Sequence, residues 1–150
     1  MTSPNALPYA VVIEDNRLLA ELLGNHLEER LQCTCIRFDN ADDALVHLLQ
    51  CQAPPTLVVT DHLMPGQLRG GELAQMLLQR WPELPLVITS GYGYEITTAL
   101  PAQVIFLQKP WTLDDVDSAV RQARAQRTVD QGLAAKSSSE GQARRDDPGE

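Results

Sequence analysis

Asp61 closes a short apolar, β-branched run, Thr56-Leu57-Val58-Val59-Thr60, and is followed by His62-Leu63-Met64-Pro65-Gly66. A run of that length after Pro54 and Pro55 predicts a buried strand, and Pro65-Gly66 predicts that the chain then turns away. A carboxylate at the carboxyl end of a buried strand stands where open α/β sheets place their chemistry. A second apolar run, Tyr9-Ala10-Val11-Val12-Ile13, ends in Glu14-Asp15-Asn16. Two adjacent acids after a buried strand repel one another unless a cation accompanies them. The plainer alternatives are that Asp61 caps a loop or helix, and that Asp15 or Asn16 caps the helix that follows. Ser90 and Lys109 complete the set, each just past a further apolar run, Leu86 to Thr89 and Val104 to Leu107.

Three carboxylates, a hydroxyl and an ammonium are a toolkit for phosphoryl transfer. Glu14, Asp15 and Asp61 offer hard oxygen ligands of the kind Mg²⁺ takes, and Mn²⁺ could substitute. Asp61 is then a candidate carboxylate nucleophile towards phosphorus. The metal and Lys109 would neutralise phosphoryl charge, and Ser90 could donate a hydrogen bond to a phosphoryl oxygen. For Lys109 the plain alternative is a solvated surface lysine.

Periodicity supplies the elements that must position these groups. Leu18, Leu19, Leu22, Leu23 and Leu27 predict a helix from Arg17 to about Arg30, and Gln32 to Phe38 predicts a strand. Asp39-Asn40 offers a cap for a helix from Ala41 to Gln50 with Ala41, Ala44, Leu45, Leu48 and Leu49 as its stripe. After Gly70-Gly71, Leu73, Met76 and Leu77 predict a helix from Glu72 to Trp81. Tyr94 to Leu100 leaves room for about two turns before Pro101, so a fourth helix would be short or irregular. Thr112 is a good N-cap, with Asp114 and Asp115 in the first turn, for a last helix through Val116, Ala119, Val120 and Ala123. Strands alternating with helices predict an α/β, doubly wound, five-stranded parallel sheet with helices on both faces and right-handed crossovers. Such a sheet gathers Glu14, Asp15, Asp61, Ser90 and Lys109 at one edge.

The domain is expected over 8–126, with 127–150 a disordered tail too polar to offset ordering entropy. A net charge of -8 and a pI near 4.8 argue against a broad nucleic-acid surface, so no direct DNA binding is expected. No apolar run approaches the roughly 18 residues of a membrane helix, and Met1 to Pro8 lacks a secretory signal. Cys33, Cys35 and Cys51 are expected to be reduced, buried thiols of a cytoplasmic protein.

Taken in order, these residues resemble a response-regulator receiver domain, of the flavodoxin-like type found in chemotaxis-type single-domain regulators and in hybrid sensor kinases. Glu14-Asp15 resembles the family's metal-binding acid pair, and Asp61 in Asp-His-Leu-Met-Pro-Gly resembles its phosphoacceptor. Ser90-Gly91 resembles the switch hydroxyl with its small neighbour, Phe106 the aromatic switch, and Lys109-Pro110 the lysine with its often cis-bonded proline. The resemblance also implies that Leu63 offers its backbone carbonyl to the metal. It implies a phosphorelay component that takes a phosphoryl group from a histidine kinase or histidine phosphotransfer protein and then engages a downstream protein. A homodimer stays open. Such a domain is not a conventional enzyme, although it catalyses its own aspartyl phosphorylation and dephosphorylation.

Four features depart from the family pattern. The loop after Pro65 is one residue longer than the commonest form, so that Gly70 takes the family glycine's place. Thr89 precedes Ser90, and either could be the switch hydroxyl. Trp111 stands where phenylalanine is more usual, and the segment between Ser90 and Lys109 is short. A phosphorylation-independent binding module of the same fold is the alternative reading. A hydrolase with an aspartyl-phosphate intermediate ranks below both, because the position two past Asp61, where such enzymes carry a second acid, is Leu63. His26, His47 and His62 are expected to be ordinary helix or loop residues.

Overall fold

The computed structural model describes residues 7–63, 65–91 and 102–125. The expected short helix at Tyr94 to Leu100 and the expected tail fall outside these residues. Within them the chain runs β1 (Tyr9–Ile13), α1 (Arg17–Leu31), β2 (Thr34–Phe38), α2 (Ala41–Leu49), β3 (Leu57–Asp61), α3 (Gly70–Arg80), β4 (Leu86–Ser90) and β5 (Ile105–Gln108). A helix over 113–125, α4 here, follows. All neighbouring strands pair in parallel, in the order β2-β1-β3-β4-β5. The doubly wound sheet expected from the alternation of strands and helices is therefore present, with helices on both faces.

Alternation along each strand divides the core. Val11, Ile13, Val58, Leu86 and Ile88 pack with Ala41, Ala44 and Leu48 of α2 and Leu73 and Leu77 of α3. Their neighbours Ala10, Val12, Leu57, Val59 and Val87 pack with Ala20, Leu23 and Leu27 of α1 and Val116, Ala119 and Ala123 of α4. A strand buried on both faces has no polar position to alternate with, which is why β1 and β3 read as unbroken apolar runs. Each buried Leu, Ile or Val there contributes about 1.5–3 kcal/mol by leaving water.

The helix ends use the caps the sequence offers. The Asn16 side chain accepts from the Leu19 amide at 3.1 Å, and Asn40 accepts from the Asp43 amide at 2.7 Å. Thr112 and Asp115 cap one another reciprocally: the Asp115 amide donates to the Thr112 hydroxyl, and the Thr112 amide to the Asp115 carboxylate.

Four expectations need correction. β2 begins at Thr34 rather than Gln32, because Gln32 adopts a left-handed conformation (φ 52°) that closes α1. α3 begins at Gly70, not Glu72. The leucine stripe of α1 is split: Leu23 and Leu27 are buried, whereas Leu18 and Leu22 are 81% and 47% exposed, since at 100° per residue the five leucines span more than one face. Leu49 and Met76 are exposed for the same reason. Of the three free cysteines only Cys35 is buried. Cys33 lies ahead of β2 and Cys51 beyond α2, and both are half-buried.

Candidate functional site

The strand order creates the site. From β1 the chain crosses outward to β2, then returns past β1 to place β3 on its other side. The connections leaving the carboxyl ends of β1 and β3 run to opposite faces of the sheet, so a crevice opens between those ends. Glu14 and Asp15 follow β1, and Asp61 is the last residue of β3. One oxygen from each of the three carboxylates lies within 4.8 Å of the other two. Glu14 and Asp61 are buried, at 4% and 6% exposure, while Asp15 is open to solvent.

Lys109 arrives from the far edge. β5 pairs with β4, and the Lys109 amide donates to the Ser90 carbonyl at 2.8 Å, which holds the two strand ends together. The Lys109–Pro110 peptide is cis. The Lys109 ammonium donates to Asp61 Oδ2 at 2.8 Å and sits 3.2 Å from Glu14 Oε1. The structure thus brings Glu14, Asp15, Asp61 and Lys109 into one cluster, and Lys109 is no solvated surface lysine.

Burial and charge act against each other here. Burial pushes the Glu14 carboxyl upward, and the Asp61 charge adds to this, although the Asn16 amide and Lys109 pull the other way. For Lys109 burial works against the ammonium, yet the hydrogen bond and charge of Asp61, together with Glu14, outweigh it and raise its pKa. Three hard carboxylates sharing one small space with a single ammonium make a donor set that fits a divalent cation such as Mg²⁺.

Ser90 ends β4 half-buried, whereas Thr89 is buried within the sheet as the register partner of Asp61. Phe106, in register with Ile88, is 52% exposed. Leu63 follows His62 in the loop that leaves β3, and its side chain is half-buried.

Two residues of this loop's framework had no signal in the sequence pattern. His62 is not an ordinary loop residue. It is buried, its carbonyl accepts the Gly70 amide at 2.9 Å, and its Nδ1 accepts the Gly71 amide at 3.2 Å. Burial first, and then the Arg69 charge, lowers its pKa against the opposing charges of Asp61 and Glu72, which favours the neutral ring that can accept. Asp42, in the first turn of α2, takes the amides of Gln67 and Leu68 on its two carboxylate oxygens, both at 2.9 Å.

Gly70 stands where α3 meets the end of β3. A Cβ there would strike the Asp61 carbonyl oxygen and lie 2.9 Å from His62 Cα, both of them backbone. This close approach is the physical reason for glycine at 70 rather than 71. Gly70→Ala should destabilise the fold by about 3 kcal/mol, measured by urea denaturation, with Gly71→Ala costing less. Equal losses at the two positions would remove Gly70 from the role the resemblance gave it.

Residues 10–121 match the family model described as response regulator receiver domain. The hydrogenase transcriptional regulatory protein HoxA of Cupriavidus necator is 30% identical over 117 residues, which are 75% of this chain and 23% of HoxA. The chain thus spans about a quarter of the length of that relative. Among solved structures, a response regulator receiver domain protein from Clostridium thermocellum superposes with a TM-score of 0.66 at 22% identity, covering 82% of this chain and 98% of that one. A response regulator receiver protein from Sinorhizobium medicae gives 0.68 at 22% identity, covering 83% and 99%. At that identity the two structures establish the likeness of fold. Among the described residues no helix is long and apolar enough to cross a membrane.

Proposed function

The chain belongs to the response regulator receiver domain family, and from that premise we propose that it is a Mg²⁺-dependent phosphoacceptor of a cytoplasmic two-component phosphorelay, with Asp61 as the acceptor. The observation that carries this reading is the cluster itself: Asp61, buried at the crevice, with Glu14 and Asp15 beside it and the Lys109 ammonium 2.8 Å from its carboxylate.

Glu14, Asp15, Asp61 and the Leu63 carbonyl would hold the cation, which when bound offsets the repulsion among the acids and neutralises phosphoryl charge. In the transfer, an Asp61 carboxylate oxygen forms a bond to phosphorus as the donor's phosphorus–nitrogen bond breaks. The electron pair of that bond returns to the donor imidazole. Lys109 balances charge gathering on the phosphoryl oxygens. Ser90, the more accessible of the two adjacent hydroxyls, would donate to the bound phosphoryl group, and Phe106 would turn inward from its exposed position. Phosphorylation then acts by shifting population between two conformers and changing a protein-binding surface. The phosphoryl donor is a histidine kinase or histidine phosphotransfer protein, and the downstream partner is a protein. The test is the mass of the intact chain after incubation with Mg²⁺ and a small phosphodonor such as acetyl phosphate.

The metal assignment has its own check. A ligand that binds only the native state stabilises it by about 2.7 kcal/mol at a hundredfold excess over its dissociation constant. Mg²⁺ should therefore raise the melting temperature of wild type clearly more than that of Asp15→Asn, which removes the exposed ligand and leaves the buried pair intact. Equal shifts in the two proteins would remove Asp15 from the metal set.

A further inference from the structure

The segment between β3 and α3 is tied down at both ends and at its crest. At the ends, the Gly70 and Gly71 amides close onto His62, so the start of α3 is bound to the residue that follows Asp61. At the crest the tie comes from a different element. Asp42 is half-buried in the first turn of α2, and its two carboxylate oxygens accept from two consecutive loop amides, Gln67 and Leu68. The chain approaches Asp42 through Gly66, whose φ of +106° is a left-handed conformation and whose missing Cβ would stand 3.0 Å from Asp42 Oδ2. Two parallel N–H groups held by one carboxylate are a charge-assisted, bidentate arrangement, stronger and more directional than a single neutral hydrogen bond.

We infer that Asp42 is a positioning residue for the phosphoacceptor site, holding the lengthened β3–α3 loop in the shape that presents its backbone to the metal and the phosphoryl group. The inference rests on the function proposed above and adds a residue to it. Asp42 does not act by capping α2, because Asn40 already accepts the Asp43 amide. It touches none of Glu14, Asp15, Asp61 and Lys109 in the contacts seen, so its influence passes through the loop. Without it, the Gln67 and Leu68 amides turn to water, and the crest loses its tie to α2 while Leu68 still packs on the core and the Arg69 amide still bonds Glu72. A site that must be preorganised for a small, geometrically demanding cation such as Mg²⁺ loses affinity when the loop that carries Leu63 is less constrained.

Neutralising any nearby acid would also weaken a cation electrostatically, so the charge needs its own control. Asp43 supplies it: it lies in the same turn, is exposed, and among the described residues its side chain bonds Asn40. Mg²⁺ dissociation constants by calorimetry and rates of labelling by acetyl phosphate should be compared for wild type, Asp42→Ala, Asp42→Asn and Asp43→Asn. Asp42→Ala should weaken Mg²⁺ about tenfold and slow labelling in proportion, with hydrogen exchange faster at Gln67 and Leu68. Asp42→Asn, which keeps one acceptor oxygen but presents a donor to the second amide, should fall between wild type and Asp42→Ala. Asp43→Asn should stay within about twofold of wild type. If Asp42→Ala matches wild type, or Asp43→Asn loses as much as Asp42→Asn, the inference is overturned. A wild type that binds Mg²⁺ but takes no label defeats the proposed phosphoacceptor function alone, and the Mg²⁺ series still decides Asp42. A wild type that neither binds nor labels defeats both.

Discussion

Asp61→Asn should abolish labelling: wild type incubated with Mg²⁺ and acetyl phosphate should gain the mass of one phosphoryl group, and the variant none. The substitution keeps the shape of the side chain and replaces the carboxylate nucleophile with a neutral, poorly nucleophilic amide, so no other change is needed to explain a lost adduct. The variant should also remain folded. Asp61 adds to the repulsion that raises the Glu14 carboxyl, and neutralising it relieves that strain. Lys109 keeps a partner in Glu14 at 3.2 Å. A cooperative melt near the wild-type temperature would therefore accompany the complete loss of label. An adduct persisting in the variant would move the acceptor elsewhere. Absence of an adduct in wild type, with several phosphodonors, would favour the phosphorylation-independent binding module.

The parts of this molecule that could be read from its sequence share a physical cause. β1 and β3 are buried on both faces, so their apolar runs are continuous and stop abruptly at Ile13 and Thr60. In a parallel doubly wound sheet every strand points the same way, and whatever follows the strands collects at one edge. That is why the sequence alone groups Glu14, Asp15, Asp61 and Lys109. That Gly70 rather than Gly71 takes the family glycine's place was implied by the resemblance, and the close approach to the Asp61 carbonyl supplies the physical reason.

What stayed hidden depends on contacts distant in sequence or on a choice between similar faces. Asp42 looks like an ordinary acid in a helix first turn, favourable to the dipole, and only the folded chain brings the amides 25 and 26 residues later onto it. His62 carries no periodic signal, because its partners are the first amides of a helix that begins two residues before its apolar pattern predicts. Leu18 and Leu22 share the hydropathy of Leu23 and Leu27, so residue type cannot tell the buried face of α1 from the exposed one.

Lys109→Met should expose how the site tolerates three acids in one crevice. The methionine keeps most of the length and apolar stem of lysine and removes the ammonium that bonds Asp61 at 2.8 Å and Glu14 at 3.2 Å. Breaking a buried ion pair from one side costs about 3–5 kcal/mol, and because the Lys109 side chain is 26% exposed the loss should fall near the lower bound. The pH dependence follows from the direction of the Glu14 shift. A carboxyl whose pKa is higher in the folded chain binds more protons there than in the unfolded chain, so stability falls as pH rises from the unfolded carboxylate range through the folded value. Lys109 is one of the groups holding that value down, and its removal should enlarge this loss. The deficit of Lys109→Met against wild type should thus be smaller at pH 5 than at pH 8. At alkaline pH the order of sensitivity reverses. The raised Lys109 pKa stabilises wild type fully below the ordinary lysine value, and that contribution is lost as pH rises through the folded value, a loss the variant cannot show. Mg²⁺ should restore more stability to the variant than to wild type, since the uncompensated acids bind a cation more strongly. Labelling should nonetheless fall about a hundredfold, because losing one preorganised group that offsets developing charge costs that order in rate. Denaturation midpoints with and without Mg²⁺ across this pH range, beside labelling rates at pH 7, separate the two roles. A variant with unchanged stability at every pH would mean that Lys109 does not hold these acids together, whatever its effect on the phosphoryl group.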